Sequence, residues 1–318
     1  MRFHAATLPQ MGDRKFLTDG GLETTLIFHD GLELPHFAAF DLLKTTPGRA
    51  ALKAYYKPYI AAAAGGGYGF ILDSATWRAS RDWGDRLGYA RHALAAANRQ
   101  AIEMLVELEG EHAAQRLPMV INGAIGPRGD GYVVEAAMTP AEARLYHEEQ
   151  IGWLADTAAD MVTAYTMTHA AEAAGIALAA RAAGMPCAIS FTLETDGRLP
   201  SGEALADAIA AVDEISGGTV AYYMINCAHP THFRSILTAD APFLPRLRGI
   251  RANASVRSHQ ELNEAADLDA GDPADLARHY AEMTRQLPSL SVLGGCCGTD
   301  HRHIAAIGAS CGGCRAAA

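Results

Sequence analysis

The sequence predicts one closed (β/α)8 barrel as a single α/β domain over residues 1–318. Two observations carry this. Short apolar or β-branched runs alternate, about eight times, with longer Ala/Leu-rich stretches of helical period, the signature of βα units around a parallel sheet. No linker or composition break divides the chain, and about eight units in roughly 300 residues fit a closed barrel better than an open doubly wound sheet. The strand candidates end, in order, in Lys15–Thr18, Phe70–Asp73, Met119–Asn122, Met161–Ala164, Ala188–Thr192, Tyr223–Asn226, Arg248–Arg251 and Ser291–Gly294. Helices are expected near 48–64, 88–113, 140–157, 170–183, 203–215, 231–238, 273–286 and 301–309. Two of them carry start signals: Thr139 before Pro140 with Glu142, and Asp272 before Pro273 with Asp275, each a cap residue ahead of a proline at the first helical position. From about residue 308 the tail, with Cys311 and Cys314, is expected to fray.

Composition narrows the partners. The 26 Lys+Arg against 36 Asp+Glu give a net charge of −10, and no long basic run interrupts the sequence, which argues against nucleic acid or an anionic membrane as partner. With 49% hydrophobic and 19% charged residues the chain has the apolar surface for a sizeable core. No stretch reaches the roughly 18 to 20 apolar residues of a membrane span. Met1–Arg14 shows no signal-peptide pattern, so the expected compartment is the cytoplasm. In a reducing compartment the 6 cysteines are expected as ligands, nucleophiles or core residues rather than disulfides. Ala-rich helices suit packing within a homo-oligomer and packing around a barrel equally.

In a barrel of this kind chemistry gathers on the loops after the strand C-termini. The last strand runs into Gly294-Gly295-Cys296-Cys297-Gly298-Thr299, and the sixth ends Asn226-Cys227. Glycines on both sides of adjacent cysteines allow the tight turn that two thiolates need to reach one ion. Three thiolates on one rim suggest a three-ligand zinc ion with an open fourth position. The competing reading treats Cys227 as a small buried hydrophobe and the cysteine pair as incidental. His229, His232, His301 and His303 are further potential ligands, although a histidine near a helix start more often caps it.

These motifs, together with the opening Asp19-Gly20-Gly21-Leu22-Glu23-Thr24, resemble the zinc-dependent homocysteine S-methyltransferase family. The similarity runs from about Thr18 to Ile307 and includes Asn122–Pro127 and Ser190-Phe191. The resemblance implies a (β/α)8 barrel with zinc (Zn2+) held by Cys227, Cys296 and Cys297. It also implies two small-molecule partners, a thiol acceptor, in the first place homocysteine giving methionine, and a sulfonium or quaternary ammonium methyl donor. The opening loop would then bind the acceptor through Asp19, Gly20, Gly21, Glu23 and Thr24, with Asn226 supporting the site. Zinc would present that thiol as a thiolate at neutral pH without redox change. Rate would come from alignment of sulfur, methyl carbon and leaving group.

One position departs from the family pattern. Where the family has a glutamate at the end of the fourth strand, this chain has Tyr165, which shapes the acceptor pocket but supplies no charge for an ammonium. Glu23, Asp73 and Glu194 are the carboxylates that would take over. The same departure motivates two rivals, another thiol or a selenol as acceptor and osmolyte demethylation; the rival from a different class is a non-catalytic barrel that binds zinc or a small molecule, against which the three cysteines speak. For a cationic donor Trp77 is the leading aromatic partner, with Tyr132 and Trp83 behind it.

Overall fold

The apolar runs form strands whose residues are almost all buried, as expected where a parallel sheet is covered on both faces. In the computed structural model, which describes residues 7–134 and 137–312, they are β1 (Phe16–Leu17), β2 (Gly69–Asp73), β3 (Met119–Ile125), β4 (Met161–Met167), β5 (Cys187–Thr192), β6 (Tyr222–Asn226), β7 (Leu247–Ala252) and β8 (Val292–Gly295). They close in sequence order, Phe16 pairing with Gly69 on one side and Val292 on the other. The architecture is a (β/α)8 barrel.

Alternation along each strand sets what fills the barrel. Phe16, Ile71, Val120, Met161, Ala188, Tyr222, Met224 and Val292 form one buried cluster, with Leu8 of the leading segment packed among them. Gln10 Nε2 donates to Tyr222 Oη at 3.2 Å in the same region. Two positions further along five of these strands the buried residues become polar, at Asp73, Asn122, Thr163, Ser190 and Asn226, and Arg251 of β7 pairs in register with Asn226. The apolar layers thus end in a polar layer under the rim where the βα loops begin.

Around the sheet run helices Thr46–Gly66, Arg91–Glu111, Pro140–Ala155, Ala170–Ala182, Leu205–Ser216, Pro273–Gln286 and His301–Cys311. After β6 the helix expected over 231–238 is only Pro230–Phe233 followed by a 3-10 turn. Both start signals act as caps. Thr139 accepts from Glu142 N while the Glu142 carboxylate returns to Thr139 N, and Asp272 accepts from Ala274 N.

The fraying expected from about 308 does not begin there. The last helix continues to Cys311, Ile307 is fully buried, Tyr68 Oη donates to Gly308 O at 2.7 Å, and Lys15 Nζ donates to Cys311 O at 2.9 Å. Those anchors are made with residues distant in sequence, so local composition does not announce them. Cys314 and the closing alanines lie outside the described residues, as does the start of Met1–Arg14. Among the described residues no helix is long and apolar enough to cross a membrane.

Candidate active site

The residues following β6 and β8 meet at the barrel mouth, on either side of β7. The sulfurs of Cys227, Cys296 and Cys297 lie within 4.8 Å of one another. Cys227 and Cys296 are joined as a disulfide, with Cys297 as the free thiol beside them. Cys227 has φ +52°, a left-handed conformation that costs a non-glycine residue about 1–3 kcal/mol. Three contacts hold it there. Its N–H donates to Arg251 O at 3.1 Å, and its carbonyl accepts from Asn253 Nδ2 at 3.1 Å and lies 2.5 Å from His259 Nε2.

The opening loop is pressed against the cysteine loop. Gly21 N donates to Thr299 O at 3.0 Å, and a Cβ on Gly21 would stand 2.7 Å from Cys296 O, so only glycine fits. Thr24 Oγ1 in turn accepts from Gly298 N at 3.2 Å, where φ of +78° again calls for glycine.

Asn226 ties the cysteines to the barrel. Its Oδ1 accepts from Thr166 N at 2.9 Å and Ser190 Oγ at 2.6 Å; its Nδ2 donates to Thr166 Oγ1 at 2.9 Å and faces Cys296 Sγ at 3.9 Å. One side chain thereby bridges β4, β5 and β6 and fixes Thr166 at φ +62°, where the β4 register shifts. Beside Cys297, Tyr132 Oη lies 3.4 Å from Sγ, and the Tyr132 ring stacks on His259 with centroids 4.2 Å apart. Burial pushes the Cys297 thiol above its ordinary pKa, against the Tyr132 hydrogen bond.

Across the mouth lies a charged network. Arg251, at the end of β7, spends all five N–H groups: Nε on Gly295 O at 2.9 Å, Nη1 on Asp73 and on Tyr165 Oη, Nη2 on Asp19 Oδ1 at 2.6 Å and on Gly20 O at 3.0 Å. Asp73 accepts further from Asn122 Nδ2 and Tyr165 Oη, and Asp19 Oδ2 from Tyr55 Oη at 2.9 Å. Burial, the largest influence, pushes the Asp19 carboxyl up to about 7 despite Arg251. Burial and the Asp73 charge hold the Tyr165 phenol well above its usual range, so it stays a neutral donor.

These groups line a single cavity of about 350 Å³. Of the residues singled out in the sequence, Asp19, Gly20, Gly21, Glu23, Thr24, Asp73, Trp77, Tyr132, Tyr165, Asn226, Cys227, Cys296 and Cys297 face it, whereas Trp83 and Glu194 do not. The sequence profile of the homocysteine S-methyltransferase family matches residues 16–311. The chain belongs to that family. Family membership makes it a methyltransferase that passes a methyl group from a donor to homocysteine.

Among solved structures it is similar to the homocysteine methyltransferase MmuM from Escherichia coli. The oxidized form is 19% identical with a TM-score of 0.77, covering 96% of this chain and 99% of that one. The metallated form is 20% identical with a TM-score of 0.74 over 96% and 99%. The apo form is 20% identical with a TM-score of 0.68 over 96% and 100%. These likenesses bear on the fold. No curated protein matches the chain.

Within the family site some expectations change. Trp77 does line the cavity, but its ring is covered by the chain's own Arg78, whose Cζ sits 3.9 Å from the ring centroid, so that face is not open to a cationic donor. Of the carboxylates considered in place of the family glutamate, Asp73 is consumed by Arg251, Tyr165 and Asn122, and Glu194 lies 3.0 Å from His259 Nδ1. Glu23, half-buried in the cavity wall, has no partner in another side chain among the described residues, and burial raises its pKa.

The four histidines stay apart from the cysteines. His229 caps the helix after β6 and groups with Asp275 and His279; His232 Nε2 lies 2.9 Å from Val256 O; His301 is exposed; His303 helps cap the last helix. The sequence reading missed Arg251, Arg78 and His259. Arg251 carried no local signal of its own, since β7 holds a second arginine, Arg248, and nothing nearby in sequence separates the buried cation from the half-buried one.

Proposed function

We propose that this family member works as a zinc enzyme, with Cys227, Cys296 and Cys297 as the ligands. It would take its methyl group from a small sulfonium or quaternary ammonium donor. The observation that carries the reading is the convergence of three cysteine sulfurs within 4.8 Å on the rim where barrel enzymes do their chemistry. The donor set suits the ion, since thiolates are soft ligands and three of them leave a fourth position for a substrate. Zinc, when bound, supplies a cation that favours the deprotonated form of a thiol at neutral pH.

The rest is done by the chain's own groups. Asn226 holds Cys296, and Tyr132 donates to the sulfur of Cys297 once that is a thiolate. The loop Asp19–Thr24 closes one side of the cavity through Gly20 and Gly21. Glu23 is the carboxylate left to receive the ammonium of homocysteine, in the role the family gives to the residue replaced by Tyr165. Leu22, Leu262 and Leu268 give the cavity apolar walls that exclude water and keep nucleophile, methyl carbon and leaving group aligned. With Trp77 covered, the aromatic rings exposed at the mouth for a cationic donor are Phe28 and Phe37.

The test begins with reduced protein, because the Cys227–Cys296 bond must open before both sulfurs serve as ligands. Close to one zinc per chain in the wild type, lost or strongly weakened in Cys297→Ser, is the expected result. Methionine should form from homocysteine with S-methylmethionine or glycine betaine as donor. Undiminished zinc and turnover in Cys297→Ser would sink the assignment.

A further inference from the structure

We infer that Arg78 is the carboxylate-binding residue of the substrate cavity. This rests on the methyltransferase reading above and names a chemical feature of what the cavity takes.

Arg78 follows β2 and is 5% exposed. Its guanidinium packs against two indoles, with Cζ 3.9 Å from the centroid of Trp77 and 3.8 Å from that of Trp83. The two indoles hold the cation at the wall of the cavity it lines, which leaves hydrogen bonding to its N–H edge. Along that edge it makes one hydrogen bond, Nη1 to Gly129 O at 2.8 Å. Nε is buried with no partner, and among the described residues Arg78 has no carboxylate within ion-pair distance.

The contrast with Arg251 decides the interpretation. Both are buried arginines on the same rim, yet Arg251 meets an acceptor with every N–H, two of those acceptors being carboxylates, whereas Arg78 leaves most of its fork free among the described residues. An unsatisfied buried donor costs about 1–3 kcal/mol, and an uncompensated buried charge costs more. That cost is relieved if a ligand supplies the anion. A planar fork held rigid by stacking matches a carboxylate bidentately. Asp130, whose Oδ1 accepts from Tyr132 N at 2.8 Å, and Glu23 act on the Arg78 guanidinium through their charge, but neither forms an ion pair or hydrogen bond with it among the described residues. With Glu23 lining the same cavity, the site holds a carboxylate and a guanidinium that no ion pair consumes among the described residues, a pairing suited to the zwitterionic end of an α-amino acid or to a betaine.

The experiment compares ligands that differ only in the carboxylate. Reduced, zinc-loaded protein is titrated calorimetrically with L-homocysteine against 3-aminopropanethiol, and with glycine betaine against tetramethylammonium. In at least one pair the wild type should bind the carboxylate-bearing member about tenfold or more tightly, as a charge-assisted hydrogen bond predicts. Arg78→Gln should bring that ratio to within about twofold while leaving the decarboxylated member's affinity unchanged. The pair that responds tells whether the carboxylate belongs to the acceptor or the donor.

Arg78→Lys, which keeps charge but loses the fork, should fall between and serves if the glutamine variant does not fold. A wild type that prefers neither carboxylate, or a preference that survives in Arg78→Gln, would overturn the inference. In that case methionine formation from homocysteine would show the methyltransferase reading still standing. Conversely, betaine bound through Arg78 with no affinity for either thiol would keep the inference and refute the acceptor assignment.

Discussion

The two halves of the cavity are held by different physics. On the side of β6 and β8 the sulfurs are positioned by backbone geometry and neutral donors: a left-handed Cys227, the glycines around Cys296 and Cys297, and the amide of Asn226. On the side of β1, β2, β4 and β7 the wall is a network of buried charge, with Arg251 between Asp19 and Asp73 and Tyr165 bridging. Neutral clamps set a fixed geometry and are indifferent to the charge of what binds. A charged wall fixes the local potential and so selects among substrates. The division suggests that the cysteine half carries the reaction and the charged half its choice of acceptor, and substitutions on each side test whether the halves separate.

The largest effect is expected from Arg251→Met. Removing the cation leaves Asp19 and Asp73 buried without their partner, and breaking such a pair costs about 3–5 kcal/mol. Urea denaturation of the variant should show that loss. If the halves are separable, the protein that remains folded keeps close to one zinc per chain, because the sulfurs themselves are held by other groups. Loss of zinc together with stability would show that Arg251, whose carbonyl accepts from Cys227 N and whose Nε donates to Gly295 O, joins the halves into one unit.

Asn226→Ala probes the other side. It strands Thr166 N and the Ser190 hydroxyl and frees Cys296, for a stability loss of about 2–3 kcal/mol. Zinc affinity should fall about 10–100-fold, the usual cost of losing a group that orients a ligand. Competition with a chromogenic chelator reads the affinity, and an unchanged value would mean that the cysteine backbone alone positions the sulfurs.

Why the two halves differ in legibility follows from the same physics. Cysteines, glycines and Asn226 sit in runs of two to six residues, and their roles depend on neighbours in sequence. The barrel itself was legible for the same reason, since each βα unit announces its period locally. The charged wall is relational: Asp19, Asp73, Tyr165 and Arg251 come from four strands, and each alone reads as an ordinary strand-end residue. Tyr165 stood out only against the family pattern, and nothing local shows that Asp73 and Arg251 would claim it. Trp77 illustrates the converse, an aromatic whose partner proved to be the next residue in the chain. Cys187, by contrast, is a core residue, its thiol pushed up to about 12 by burial alone.

Glu23→Gln addresses acceptor choice directly. Without the carboxylate, KM for homocysteine should rise about tenfold, the size of one charge-assisted hydrogen bond. Zinc content and stability should stay close to wild type, since no other side chain among the described residues leans on Glu23. An unchanged KM would mean that another carboxylate of the cavity, such as Asp19, meets the ammonium.

The last effect is a pH dependence of stability from Asp19. Its carboxyl titrates near 7 in the folded chain and near 3.8 as an ordinary aspartate. Between those values the folded state holds a proton that the unfolded chain has lost, so this group's contribution is full below about pH 4 and disappears as pH rises through about 7. Burial is the main cause, opposed by Arg251 and reinforced by Asp73; Tyr55 and Glu23 are the other titratable groups acting on it. Wild-type stability relative to Asp19→Asn should therefore decline between pH 5 and pH 8, by about 2–3 kcal/mol. Paired urea titrations across that range measure the difference. A gap that is flat with pH would mean that Arg251 keeps Asp19 ionised throughout, and the charged wall would then carry a second permanent anion toward the substrate.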